Sequence, residues 1–191
     1  MDDVGIECYI KPKKRQVFPV TAKSPALRQL LYTKGFNHYD CIPFTLLYNP
    51  RIYIRPFPDE GVFWLGCSDE FPRAFKLEEN PQVEKEFYEY GIQPAIAKYF
   101  PHFKDCRPSS PFAGQYAIST LDGHPVIFEE RDLIVASGAS GSGIMKADAI
   151  GRITAALYNG EEYAMLYGDR EFKISDLGLK NRKTELEKLV I

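Results

Sequence analysis

A short apolar run, a bend rich in glycine and serine, and a longer apolar segment follow one another near the end of the chain. Residues 133–136 fit a buried strand, the bend 138–143 reads Gly-Ala-Ser-Gly-Ser-Gly, and residues 143–158, before Asn159-Gly160, are typical of a helix. Glycines permit close backbone approach to a ligand, and a helix start presents unpaired N–H groups with partial positive charge. This order predicts a strand–loop–helix that receives a phosphate, or a ring oxygen that gains negative charge on reduction.

The bend does not by itself choose the ligand. Its glycines follow the order G-x-x-G-x-G, whereas the dinucleotide fingerprint is G-x-G-x-x-G. A Rossmann interpretation would take Asp169 as the ribose-binding acid, but only about twenty residues follow it, too few for the further strand–helix units of that fold. Another interpretation is a glycine bend that only lets the strand and the helix pack together.

The helix predicted after the bend carries two apolar faces. Small residues recur every four positions on one of them: Ala147, Gly151 and Ala155. Larger apolar side chains form the second: Ile150, Ile153 and Leu157. Asp148 and Arg152, four residues apart in the favourable order, mark the exposed stripe. Most of this helix is therefore predicted to be buried, under a second copy, a partner chain or the C-terminal tail.

The rest of the chain alternates short strands with short helices. Strands are predicted at residues 4–20, 51–56, 62–66, 112–118, 126–128 and 163–167, and the turn Pro58-Asp59-Glu60-Gly61 joins two of them in a hairpin. Helices are predicted at 24–33, 80–100 and around 183–188. The second of these begins with Asn80 as its N-cap and breaks at Gly91 and Pro94. The pattern predicts an α+β fold, with an antiparallel or mixed sheet flanked by helices.

Composition and charge exclude several classes of function. The net charge of −2 gives no basic field for nucleic acid. No apolar run approaches the roughly eighteen residues of a membrane span, and the acidic N-terminus lacks a signal peptide, so a cytoplasmic location is expected. Four isolated cysteines and three scattered histidines argue against a zinc site and for reduced thiols. The basic run 11–15 fits a solvated strand edge better than a contact to an anionic ligand.

The string from Gly138 to Lys146, followed by Ala149-Ile150-Gly151-Arg152, resembles the last strand–loop–helix of a family of FAD-dependent oxidoreductases. This is the DAO family of D-amino-acid oxidase, sarcosine oxidase and glycine oxidase. Residues 12–16 resemble the start of its substrate domain, 53–56 with 64–66 its central hairpin, and 113–125 the strand and turn before its final flavin segment. The tail, residues 166–179, looks most like archaeal dye-linked L-proline dehydrogenases of this family.

The resemblance implies two groups of site residues and leaves the catalytic residue unassigned; no metal ligand is among them. Backbone groups facing the flavin are implied for Gly138, Ser140, Gly141, Ser142, Gly143, Ile144 and Met145. Substrate contacts are implied for Tyr53, Arg55 and Tyr116, where Arg55 can pair a carboxylate bidentately; the alternatives are a surface ion pair for Arg55 and packing for the tyrosines. Sarcosine oxidases have a substrate-binding lysine at the position of Met145, one residue before Lys146. They attach flavin to a cysteine near the position of Gln115, so FAD here is expected to be non-covalent.

The resemblance also implies an organisation in three regions. These are a substrate-binding (cap) domain at 1–128, a partial FAD-binding strand–loop–helix at 129–160 and a C-terminal tail at 161–191. No G-x-G-x-x-G precedes Gly138, so the part that grips the ADP half of FAD is expected from elsewhere. One hypothesis is a piece of an amine or amino-acid oxidoreductase, with L-proline as one substrate, that works with an N-terminal FAD-binding chain. The other is a non-catalytic remnant or binding module without flavin, for instance a homodimer.

Overall fold

The computed structural model describes residues 4–68 and 73–187, which form two compact units. The first unit contains residues 4–13, 74–77 and 116–187, and the second contains 14–68, 73 and 78–115. Strands β1 (Ile10–Thr21) and β5 (Phe112–Ser119) contribute residues to both. The division at residues 128 and 160 stays a prediction.

The second unit is built on a five-stranded sheet with the strand order β2-β3-β4-β1-β5. Here β2 is Thr45–Leu46, β3 is Ile52–Phe57 and β4 is Val62–Cys67. Strands β3 and β4 pair antiparallel from Ile52–Cys67 to Phe57–Val62, around a 3₁₀ turn at Pro58–Glu60 that ends in left-handed Gly61. The predicted hairpin is thus confirmed, since the turn residues supply the backbone conformation it needs.

Helices cover one face of this sheet and enclose its core. Ile54 and Leu65 face each other across β3 and β4 and are fully buried, together with Phe18 of β1. Helix α1 (Pro25–Leu31) begins at Ser24, whose hydroxyl accepts a hydrogen bond from the Leu27 N–H at 3.1 Å. Because side chains alternate along a strand, residues such as Tyr53 and Arg55 lie on the opposite face of the sheet.

The predicted break at Gly91 and Pro94 is wrong. The chain stays helical through a π-helical turn at Phe87–Ile92 and continues as α2 (Gln93–Tyr99). Proline has no N–H to donate and its ring crowds the preceding turn, so a widened turn just before Pro94 accommodates it without a break. Asn80 is not an N-cap either, because residues 81–84 are not helical.

Lys14 of the predicted basic edge is engaged inside the second unit instead of being solvated. Its ammonium lies 2.7 Å from the Glu84 carboxylate, which also accepts two hydrogen bonds from Arg73 at 2.7 and 2.8 Å. The amide of Gln16 bonds both the side chain and the N–H of Glu84. The solvated-edge interpretation is therefore wrong for Lys14, which ties β1 to the segment before the π-helical turn.

The first unit contains two hairpins and one long helix, besides the ends of β1 and β5. Strands β6 (Val126–Glu130) and β7 (Leu133–Ser137) form one hairpin, helix α3 (Gly143–Tyr158) follows, and β8 (Tyr163–Leu166) pairs antiparallel with β9 (Arg170–Lys173). Gly168 and Asp169, both with positive φ, make the turn of this second hairpin. The Rossmann interpretation is thereby excluded, because β7 and β8 lie in different sheets and Asp169 sits in a turn.

Only one face of α3 is buried. Its larger apolar side chains pack on β8, β9 and the 3₁₀ turn Ile174–Leu177. The small residues Ala147, Gly151 and Ala155 are exposed, so the prediction that most of the helix is buried is wrong within the described chain. The C-terminal tail, together with Ile127 of β6, covers the larger apolar face of α3.

The final segment is irregular where a charged helix was predicted, at residues 183–187, and Lys188 lies outside the described residues. Arg182 holds it in place, donating to both carboxylate oxygens of Asp122 at 2.5 Å and to the carbonyls of His124, Pro125 and Leu177. These long-range bonds replace the local bonds of a helix. The α+β class with antiparallel sheets is confirmed. No helix within residues 4–68 and 73–187 has the length and apolar character to cross a membrane.

Candidate functional site

The glycine bend, residues 138–143, is held in a left-handed conformation by one buried serine. Gly138, Ser140 and Gly141 have φ values of 77°, 51° and 92°. The Ser140 N–H donates to the carbonyl of Ala117 at 3.1 Å. Its hydroxyl accepts from the Ser119 N–H at 3.0 Å and donates to the Gly138 carbonyl at 3.1 Å. These bonds offset the strain of a left-handed residue that carries a Cβ. The sequence predicted the bend but not this role of Ser140.

The start of α3 is left without a side-chain cap. The hydroxyl of Ser142 donates to the carbonyl of Ala139 at 3.0 Å, and no side chain of the described residues accepts from the first turn. The first N–H groups of a helix have no partner inside it, so those of Ile144 and Met145 present a partial positive charge. The side chains of Ile144 and Met145 are 88% and 55% exposed. An electron-rich group can therefore approach this helix start.

Tyr116 lies directly against the bend. It belongs to β5 and is half-buried, and a Cβ placed on Gly141 would overlap its ring. A glycine is thus required at position 141 both by the positive φ and by the neighbouring ring. The structure brings together the predicted flavin-facing residues, 138–145, and one of the three predicted substrate residues.

Lys146 does not provide a free cation beside the bend. Its ammonium pairs with the carboxylate of Glu187, and the same carboxylate lies 3.6 Å from Nδ1 of His124. The Glu187 side chain is only 11% exposed. Since the ammonium already has a carboxylate partner, it is poorly suited to hold the carboxylate of a substrate. Lys146 therefore supplies no free ammonium at the position next to Met145.

Arg55 and Tyr53 lie on β3 in the second unit. Arg55 is exposed and its guanidinium sits 4.7 Å from the centre of the Phe57 ring. Over the described residues it forms no ion pair, so the surface-ion-pair interpretation finds no partner there. The ring of Tyr53 covers Gly66, where a Cβ would overlap it, and stacks on Phe44 with centroids 5.9 Å apart. Tyr53 therefore packs on the sheet surface.

Trp64 was not predicted as a neighbour of Arg55. The two residues are direct partners across β3 and β4, which puts both side chains on the same face of the sheet. The signal was present in the predicted hairpin, because its turn length fixes the register.

A family model described as FAD dependent oxidoreductase, DAO, matches residues 3–157. The chain belongs to this family. It is 29% identical over 163 residues to the FAD-dependent oxidoreductase domain-containing protein 1 of Xenopus laevis, a match that covers 80% of this chain and 28% of that protein. The DAO-family chain therefore spans less than a third of the length of this curated relative.

Solved structures of the DAO-family fold match in the same partial way. L-proline dehydrogenase from P. horikoshii is 22% identical with a TM-score of 0.62, over 84% of this chain and 39% of that chain. Glycine oxidase from Geobacillus kaustophilus is 19% identical with a TM-score of 0.67, over 95% of this chain and 42% of that chain. At these identities the matches show the shared fold alone.

The bend of this DAO-family chain fits the polar edge of a flavin ring. The uncapped start of α3 offers N–H donors, which suit ring oxygens that gain charge on reduction. Gly141 and Gly143 add no side chains of their own beside this helix start. Within the described residues, the hydroxyl of Ser119, which neighbours Ser140, is buried without a hydrogen-bond partner.

Proposed function

We propose that this chain supplies the substrate-binding part and the last flavin-binding segment of an FAD-dependent amine or amino-acid oxidoreductase. A partner chain would bring the dinucleotide-binding part. The observation that carries the proposal is the uncapped start of α3 behind the bend pinned by Ser140, in a chain of the FAD-dependent oxidoreductase family. Proline, the substrate in the name of the P. horikoshii enzyme, is one candidate within this class.

Each residue proposed to contact the flavin or the substrate has a limited task. The N–H groups of Ile144 and Met145 donate to the pyrimidine edge of the ring and stabilise negative charge there. Tyr116 packs on Gly141 and fixes the height at which a ring can lie over the bend. Arg55 binds the substrate carboxylate through charge-assisted hydrogen bonds. When bound, the flavin accepts the hydride and supplies the redox chemistry.

A panel of flavins tests the proposal, because this chain should contact the ring and not the ADP half. Riboflavin, FMN and FAD are titrated into the purified chain, and binding is followed by flavin fluorescence anisotropy. The expected result is weak binding of all three with affinities within about threefold of one another, since the shared ring makes the contacts. FAD binding much tighter than riboflavin would assign the ADP half to this chain and contradict the division proposed.

Two glycine variants make the panel specific for the bend. Gly141→Ala pushes on Tyr116 and should abolish riboflavin binding, whereas Gly160→Ala, at the other end of α3, should preserve it. Gly160 has a similar φ of 74°, and nothing lies within 4 Å of a Cβ placed there. If none of the flavins binds the folded chain, the non-catalytic remnant is the better interpretation.

The exposed face of α3 is the proposed contact for the partner. It presents the small residues Gly151 and Ala155 between two exposed apolar side chains, Ile144 at 88% and Tyr158 at 79%. Small residues allow close backbone approach, and a surface of this kind is seldom left bare. Expressed without another chain, the protein is expected to cover this face with a second copy.

Light scattering on a size-exclusion column tests this contact. The wild-type chain should elute as a dimer and Gly151→Glu as a folded monomer, because a buried unpaired carboxylate opposes association. Asn181→Glu adds the same charge at an exposed position outside the helix and should stay dimeric. A monomeric wild-type chain would refute self-association through this face.

A further inference from the structure

A row of aromatic rings leads away from Arg55 on the face of the sheet opposite the core. Arg55 pairs with Trp64 across β3 and β4, and Phe57 lies two residues further along β3 on the same side. The Arg55 guanidinium is 4.7 Å from the centre of the Phe57 ring, and the Phe57 and Trp64 rings are 4.5 Å apart. One cation and two rings therefore form a continuous surface.

The row continues over β1 to a third ring. Trp64 pairs with Pro19 of β1, and the Trp64 ring meets Phe112 of β5 edge-on at 5.5 Å. Pro19 itself is buried. Phe112 is 45% exposed, and Phe57 and Trp64 are half-buried. Both faces of the sheet thus carry apolar side chains here, and the described helices of the second unit pack on the face that holds Ile54 and Leu65.

The charge of Arg55 is not neutralised within residues 4–68 and 73–187. A guanidinium stacked on a ring keeps its edge free for a bidentate carboxylate. An exposed arginine at the end of an aromatic row attracts a molecule with an acidic head and an apolar body. A protein partner would need roughly 800 Å² of surface, and three rings beside one charge offer far less.

We propose that this surface, Arg55 with Phe57, Trp64 and Phe112, selects substrates that carry a carboxylate and a large apolar or aromatic group. The inference rests on the proposed function and narrows it: the amino-acid class would be bulky and apolar, not small like glycine. The carboxylate pairs with Arg55, and the apolar group lies along the rings. Each ring contact adds to the affinity by removing apolar surface from water.

The single tryptophan of the chain reports binding at this surface directly. Trp64 fluorescence is followed while 3-phenylpropionate, propionate or 3-phenyl-1-propanol is added to the full chain. Binding of 3-phenylpropionate in the millimolar range is expected, about tenfold tighter than that of either the acid without the ring or the alcohol without the charge. Equal affinities for 3-phenylpropionate and propionate would overturn the aromatic part of the inference.

Two substitutions separate the head from the body of the ligand. Arg55→Gln should remove the preference for 3-phenylpropionate over 3-phenyl-1-propanol. Phe112→Ala should weaken the binding of 3-phenylpropionate and leave the binding of propionate unchanged. Arg107→Gln, an exposed arginine of the same unit outside the row, is the matched charge control and should behave like wild type. An equal loss of binding in Arg107→Gln and Arg55→Gln would show that net charge causes the effect, and it would contradict the role of Arg55 as the partner of the carboxylate.

The flavin panel distinguishes failure here from failure of the proposed function. Flavin binding without a response to 3-phenylpropionate would overturn the substrate class and leave the oxidoreductase proposal standing. A response to 3-phenylpropionate without flavin binding would support the acid site and contradict the flavin segment.

Discussion

Replacing Gly141 by alanine should destabilise the first unit more than the same change at Gly160. Both glycines flank α3 and both have positive φ, 92° at Gly141 and 74° at Gly160. A Cβ at Gly141 would overlap the Tyr116 ring, while nothing lies within 4 Å of one at Gly160. The pair therefore shares the cost of a left-handed alanine and differs in the collision.

The expected magnitudes follow from these two contributions. A left-handed residue with a Cβ costs about 1–2 kcal/mol, which applies to both variants. Forcing a packed ring to move costs about 1–3 kcal/mol more, which applies to Gly141→Ala alone. The free energy of unfolding should thus fall by about 1–2 kcal/mol in Gly160→Ala and by about 2–5 kcal/mol in Gly141→Ala.

Urea titration followed by far-ultraviolet circular dichroism measures the difference. The two variants should have the same dependence on urea concentration as wild type, so that midpoints can be compared directly. Equal losses in the two variants would refute the close packing of Tyr116 on the bend. If the collision with the Tyr116 ring is real, the double variant Gly141→Ala/Tyr116→Ala should recover part of the stability that Gly141→Ala loses. If there is no collision, the double variant should recover none of that stability.

Two further predictions concern the ion pairs that hold each unit together. Hydrogen bonds from Arg73, with burial opposing them, lower the pKa of Glu84 from 4.5 to about 2. This contribution to stability is present above the unfolded pKa of 4.5 and is lost as the pH falls towards 2. Glu84→Gln should therefore lose less free energy of unfolding over this pH range than wild type, by about 1 kcal/mol or less because the carboxylate is partly exposed. Equal losses in the variant and in wild type, measured by urea titration at each pH, would contradict this. Arg182→Met should lower the free energy of unfolding by about 3 kcal/mol, since it leaves the buried Asp122 carboxylate without its ion-pair partner. Lys180→Met, at an exposed position, should change it by less than about 0.5 kcal/mol. Similar urea midpoints for these two variants would rule out this stabilising role of Arg182.

The elements that the sequence predicted correctly are those governed by local rules. The β3–β4 hairpin follows from two alternating runs around a turn that ends in Gly61, and both strands appear within one residue of the predicted bounds. Helix α3 spans 143–158 as predicted, because Asn159-Gly160 supplies a C-terminal stop with Gly160 at positive φ. These signals lie within a few residues of the structure they specify.

The predictions that failed depended on contacts between distant residues. Residues 183–187 have the composition of a helix, but the segment is held by Arg182 on Asp122, sixty residues away in sequence. Lys14 has the composition of a solvated edge, yet Glu84 pairs with it. Burial alone would raise the pKa of Asp122, and it is lowered because Arg182 and Thr184 donate to the carboxylate. No local pattern marks such partners in a single sequence.

Helix α3 shows how far physical patterning reaches when part of a family fold is present. Its two apolar faces were visible in the sequence, and the structure assigns only the larger one, with Ile153 and Ala156, to the core of the unit. The second face, with Gly151 and Ala155, has small residues without a covering element among those described. Chains of this family that are matched over only 39% and 42% of their length contain further segments. If α3 evolved to pack against such a segment, its small-residue face should remain suited to close packing even where it is exposed. The association experiment with Gly151→Glu tests whether this face still mediates contact with another chain.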